Sequence, residues 1–245
     1  MKNGLNVPEW ELLQRNVGEW RGWFDCMDGS LQRIKHQPSL LRLEPAPSGV
    51  PLHLTLLLWP EGAGSSSPHR TPAGEPEKRI VQSFMRLDPD MGVFGTGSFS
   101  RGTLYRSTWT KLYAEFGFFH GHRRHRLVLL WDGTGQLDRI VLIREFLAGS
   151  SAVECPPLEA DQLIGDWRCD LPSSGENIRF AAGDLDCWIF LPDGGAFLAP
   201  AQIDRHQPFC IEALWLSSST RLERISRRYS ELGALTSVDN QLLTR

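Results

Sequence analysis

Six titratable or cationic side chains crowd into seven positions at His120, His122, Arg123, Arg124, His125 and Arg126, the only dense basic cluster in the chain. On an extended strand successive side chains alternate sides, so His122, Arg124 and Arg126 share one face and Arg123 and His125 the other. Guanidinium groups pair bidentately with carboxylates, and the first face reads as a cationic rim for the carboxylate of an amphipathic ligand. A solvated strand end beside a hairpin would have the same composition. A metal site fits poorly, because arginines interleaved with the imidazoles repel a cation and no acidic ligand lies among them. Trp109, Phe116 and Phe118 lie on or beside neighbouring predicted strands. They serve either as the apolar lining of a ligand cavity or as ordinary barrel filling. No G-x-S-x-G, H-E-x-x-H or P-loop motif is present, so the sequence offers no nucleophile-and-base pair.

Strands must position these residues, and most of the chain reads as β. Turn-bounded β-prone runs fall near 19–26, 32–43, 50–59, 79–87, 92–99, 103–110, 112–120, 122–131 and 136–147. Leu52, Leu54, Leu56 and Leu58 share a strand face, and Asp132-Gly133-Thr134-Gly135 reads as a hairpin turn. The glycines of Gly92-x-x-Gly95-x-Gly97 are expected inside a strand, as bulges or barrel corners. Pro60–Lys78 reads as a long loop at a barrel end. Helical periodicity shows only at Pro8–Gln14 and Leu158–Ile164, and each leads into Gly-acid-Trp: Gly18-Glu19-Trp20, then Gly165-Asp166-Trp167. A second echo couples Leu130-Trp131 and Leu137-Asp138-Arg139-Ile140 with Leu214-Trp215 and Leu222-Glu223-Arg224-Ile225. Two related β units follow, residues 1–150 and a shorter 151–245, divided at the loop-like stretch 148–157.

With 26 Lys and Arg against 29 Asp and Glu among 245 residues, the net charge of -3 gives no reason to expect nucleic-acid binding. The longest uninterrupted apolar stretch, Leu56-Leu57-Leu58-Trp59, is far short of the ~20 residues of a membrane-crossing helix. The N-terminus lacks a secretory apolar core. Five cysteines without a CxxC pair suggest free, buried thiols. The expectation is a soluble, cytoplasmic protein.

A short helix, then Gly-x-Trp on the first strand of an up-and-down meander, resembles the lipocalin (calycin) superfamily. NVGEWRGW, MGVFGTGSFSRG, FFHGHRRHRL and DRIVLIREF, with WIFLPDGGAF, IEALWL and RISRRY further on, resemble a two-domain lipocalin-like family of unassigned function from oxygenic phototrophs. That family is related to the S- and T-type bilin chromophore lyases. The resemblance implies a mainly β fold: an antiparallel up-and-down barrel followed by a smaller lipocalin-like β domain. It also implies that an arginine packs over each Gly-x-Trp indole, here Arg144 over Trp20 and Arg227 or Arg228 over Trp167, closing the barrel rather than catalysing. By analogy, the rim of His122, Arg124 and Arg126 would meet the propionates of a bilin or other tetrapyrrole, or a fatty-acid head group. Three roles follow: binding of a hydrophobic carboxylate in the larger barrel, a packed scaffold acting through protein contacts, and a bilin lyase or chaperone whose partner is a phycobiliprotein subunit.

Overall fold

The computed structural model describes residues 8–63, 70–107, 110–170, 177–204 and 206–245. Pro8, with φ -56°, opens helix α1 (Glu9–Leu13), and its carbonyl accepts the first amide hydrogen bonds of the turn. The chain then enters a nine-stranded antiparallel sheet. Its strands are β1 (Gly18–Asp28), β2 (Arg33–Pro45), β3 (Leu52–Leu58), β4 (Lys78–Phe84), β5 (Met91–Val93), β6 (Phe99–Gly102), β7 (Tyr113–His120), β8 (Arg123–Trp131) and β9 (Leu137–Leu147). They lie in the order β4-β3-β2-β1-β9-β8-β7-β6-β5. A seven-stranded sheet follows, formed by β10 (Gly165–Cys169), β11 (Ile178–Phe180), β12 (Ile189–Phe190), β13 (Gly195–Leu198), β14 (Phe209–Ser218), β15 (Arg221–Tyr229) and β16 (Leu235–Thr244). Its order is β11-β10-β16-β15-β14-β13-β12. The molecule is thus mainly antiparallel β, two curled half-barrels, and no helix among the described residues is long and apolar enough to cross a membrane.

The duplicated Gly-acid-Trp has a conformational reason. Gly18 and Gly165 take φ of +142° and +119°, which side-chain-bearing residues rarely adopt. Each tryptophan two residues on is buried and donates its indole N–H to a carbonyl four residues back, Trp20 to Asn16 and Trp167 to Leu163, both at 2.8 Å. The sheet orders match when β1 is laid on β10 and β9 on β16, with β3 and β4 lacking a counterpart. On that match β8–β9 corresponds to β15–β16. The Leu-Trp echo therefore paired β8–β9 with the wrong hairpin, β14–β15, one strand out of step.

Three other expectations need correction. The run 92–99 is not one strand: Gly97, at φ +90°, closes the turn between β5 and β6, with Phe94 N–H bonded to Ser98 O at 2.8 Å. Residues 103–107 form no strand, and Tyr105 makes only an isolated bridge to Ala234. The cysteines are free but not deeply buried; four are half-buried and Cys187 is exposed.

The largest core lies between the two sheets, not inside either. Phe116, Phe118, Leu127, Leu129, Ile140 and Leu142 from β7–β9 pack in one buried cluster with Phe197, Ile211, Ala213, Trp215 and Ile225 of the second sheet. The other side of the second sheet is filled by Trp167, Phe180, Trp188, Leu214, Leu222 and Leu243. Asp193 pins the sheets together. Its carboxylate accepts from Arg123 and from the Cys155 amide, with the His125 imidazole 3.5 Å away and stacked on Trp215. Burial pushes the Asp193 carboxyl up, but His125, Arg123 and the Cys155 N–H outweigh it and hold it below the ordinary value. The stability this supplies is present above the unfolded value of ~3.9 and is lost as pH falls through the lower folded one. Asp193→Asn is expected to flatten the unfolding free energy below about pH 4. Chemical denaturation across pH checks this, and a variant curve parallel to wild type in that range contradicts it.

Candidate functional site

Inside the nine-stranded half-barrel is a cavity of about 320 Å³. Strand alternation decides what faces it. On one side Leu41 and Leu43 of β2, Leu54 and Leu56 of β3, and Ile80 and Phe84 of β4 make an apolar wall. On the other, Arg101 of β6, Glu115 of β7, and Arg124 and Arg126 of β8 line it beside the apolar Phe24, Phe99, Val128 and Ile143. Leu13 and Asn16 cover the end beside α1. β4 and β5 are the two ends of the sheet order, and Arg86, Leu87 and Asp88 between them also line the cavity.

The charged wall is an alternating ladder. Arg126 pairs with Glu115 at 3.2 Å and with Glu145 at 3.2 Å; Glu145 in turn faces Arg124 at 3.4 Å. Every inner member has a partner on both sides, whereas Arg124 ends the ladder with one. Only 4% of Arg124 is exposed, its Nε and Nη1 make no hydrogen bond among the described residues, and its guanidinium lies 5.0 Å from the centre of the Trp20 ring. Burial pushes Arg124 down to about 10, against the pull of Glu145. Arg126 goes the other way: burial lowers it, but Glu145 and Glu115 together raise it above the ordinary arginine value. Nearer β5, Arg101 pairs with Asp88 at 3.0 Å and Asp90 at 3.3 Å. The arrangement is a two-faced pocket with one under-paired, desolvated cation, suited to holding an anion whose body is apolar.

The structure brings Arg124 and Arg126 to the cavity and leaves His122 exposed in the β7–β8 turn. Phe116 and Phe118 do not line it. Glu115 occupies the inward position of β7, so its neighbours turn toward the second sheet. Trp109 lies outside the described residues. Arg144 does not cover Trp20: the β1–β9 register sets it opposite Trp23, on the outer face, where its guanidinium lies 5.7 Å from that ring and pairs with Asp25 and Glu154. Neither Arg227 nor Arg228 covers Trp167. Arg245 does, at 4.2 Å, while Arg227 is buried between the sheets on Ser100, Thr103 and Tyr229. Arg228 lies on the surface near Asp239. Sequence reasoning missed Glu115 and Glu145. A signal existed for the second, since a hairpin turning at Asp132–Gly135 carries β9 back past β8 and sets Glu145 opposite Arg124.

Residues 7–150 match a family model described as domain of unknown function DUF3598, N-terminal, and residues 172–241 match that of the C-terminal domain of biogenesis factor required for ATP synthase 1. A crystal structure of a DUF3598-family protein of unknown function from Nostoc punctiforme is similar over 100% of both chains, at 25% identity and a TM-score of 0.79. The S-type phycobiliprotein lyase CPES from Guillardia theta aligns over 99% of this chain and 97% of its own, at 8% identity and a TM-score of 0.20, too low to support an argument. No curated protein matches the chain.

Proposed function

The chain belongs to the DUF3598 family, and we propose that its nine-stranded half-barrel binds a hydrophobic, carboxylate-bearing small molecule. The observation that carries this reading is Arg124: a buried guanidinium with two nitrogens unpaired among the described residues, on a side chain that lines a cavity whose far wall is leucine, isoleucine and phenylalanine. A buried cation with incomplete pairing is costly, and a ligand carboxylate relieves that cost while the apolar wall takes the ligand's body. The cavity lies near the lower end of the ~300–1,000 Å³ range of small-molecule pockets. A medium-chain fatty acid is in keeping with that size. An open-chain tetrapyrrole could set one propionate on Arg124 with part of its length outside.

Titration of the purified protein with octanoate and with biliverdin, followed by tryptophan fluorescence and bilin absorbance, tests this. Saturable binding of at least one is expected. Arg124→Met, which keeps the apolar stem, should weaken it by about 1.5–3 kcal/mol, roughly 10- to 150-fold. No binding at high concentration of either, or equal affinity in the variant, contradicts the reading.

The filled second sheet and its match to a biogenesis-factor domain favour a second reading, a scaffold acting through protein contacts. A bilin lyase or chaperone role would additionally require covalent transfer of a bound bilin to a phycobiliprotein subunit, which a transfer assay reads directly.

A further inference from the structure

Resting on the proposal of a carboxylate cavity, we infer that the cavity selects singly charged ligands, monocarboxylates, and rejects dicarboxylates short enough to lie wholly inside it, with Glu115 setting that choice. The charge inventory carries the argument. Glu115, Arg126, Glu145 and Arg124 are two carboxylates and two guanidinium groups in alternating order, so the ladder is neutral and ends on a cation. One incoming carboxylate would continue the alternation beside Arg124, which lines the cavity and whose Nε and Nη1 have no partner among the described residues.

A second carboxylate finds no equivalent place. Arg126 is already shared by Glu115 and Glu145, and Arg101 is already held by Asp88 and Asp90. Glu115 and Asp88 themselves line the cavity, so a second anion within it meets like charge at low dielectric. Such a repulsive element discriminates between ligands that make the same attractive contacts. Arg86 is the remaining lining cation, and it is exposed, beside Asp88 between β4 and β5. Only a longer ligand would set a second carboxylate there.

Glu115 is the residue whose change would reverse the choice. Removing its charge takes away the anion that a second carboxylate would meet and weakens the hold on Arg126 Nη1, now at 3.2 Å, while Glu145 continues to neutralise Arg126 from the other side. Arg126 lines the cavity and, with Glu115 neutral, can share its charge with a second carboxylate.

Isothermal titration with octanoate, octanedioate and the monomethyl ester of octanedioate separates charge from size. Wild type should bind octanoate and the monoester alike, and octanedioate at least about tenfold more weakly. In Glu115→Gln the gap between diacid and monoester should close to within about threefold, by a gain in diacid affinity that a merely misfolded variant would not show. Wild-type protein that binds the diacid as tightly as the monoester overturns the inference, as does a gap unchanged in Glu115→Gln. Failure of all three compounds to bind wild type is a different result, and it removes the carboxylate cavity itself.

Discussion

Trp20→Ala is expected to lower the unfolding free energy by about 3–5 kcal/mol, the usual cost of emptying a large aromatic site in a core. The indole is 1% exposed, donates to Asn16 O at 2.8 Å, meets Phe119 edge-on at a centroid distance of 6.0 Å, and supports Arg124 on its face. Its loss therefore combines three penalties: a void beside an existing cavity, an unpaired Asn16 carbonyl, and a buried guanidinium stripped of its π partner. Urea unfolding should show a lower midpoint with an unchanged slope. A variant that unfolds with wild-type behaviour would contradict the placement of Trp20 as the plug at the α1 end of the half-barrel.

Glu145→Gln should cost a comparable 3–5 kcal/mol, for an electrostatic reason. Glu145 is fully buried and, among the described residues, is the carboxylate that ion-pairs with both Arg124 and Arg126. Neutralising it leaves two guanidinium groups side by side in a low-dielectric interior, with Glu115 in an ion pair with only one of them. The same change makes the cavity more attractive to an anion. Octanoate should consequently raise the melting temperature of Glu145→Gln more than that of wild type, since ligand stabilisation increases, logarithmically, with affinity for the folded state. Thermal melts with and without octanoate check both halves. An unaltered melting temperature in the variant would show that the ladder is not the electrostatic unit described.

The fold was largely legible, and the reasons are local. Gly-acid-Trp after a short helix marks a strand start because only glycine readily takes the positive φ that precedes the buried indole. Strand alternation set Arg124 and Arg126 on one face. What alternation could not tell is which face turns inward, because neither face of β8 is exposed. The usual rule places aromatics inside a barrel, and it misled for Phe116 and Phe118: here the more apolar face of β7–β9 is covered by a second sheet, and the charged face lines the hollow. The arginine over Trp20 was misassigned for a related reason. Arg144 falls opposite Trp23 rather than Trp20 through the antiparallel β1–β9 register, which the sequence alone does not set. The Leu-Trp echo failed because neighbouring hairpins of similar composition fit it equally well when no pairing partner is known.

The two half-barrels divide the work. The second is filled by its own side chains and braces the back of β7–β9 through the large inter-sheet core, with Asp193, His125 and Arg123 fixing their relation. That packing supports β8 from the side opposite its cavity-lining charges.

The central claim is that a carboxylate meets Arg124 inside the half-barrel. Octanoate labelled with ¹³C at its carboxyl group, bound to the protein and titrated by NMR, addresses it most directly. The account predicts a distinct bound resonance whose carboxyl pKa falls below that of free octanoic acid, since the guanidinium favours the ionised form, and the loss of that depression in Arg124→Met. A bound carboxylate that titrates like the free acid, or keeps its lowered pKa when Arg124 is methionine, would contradict it.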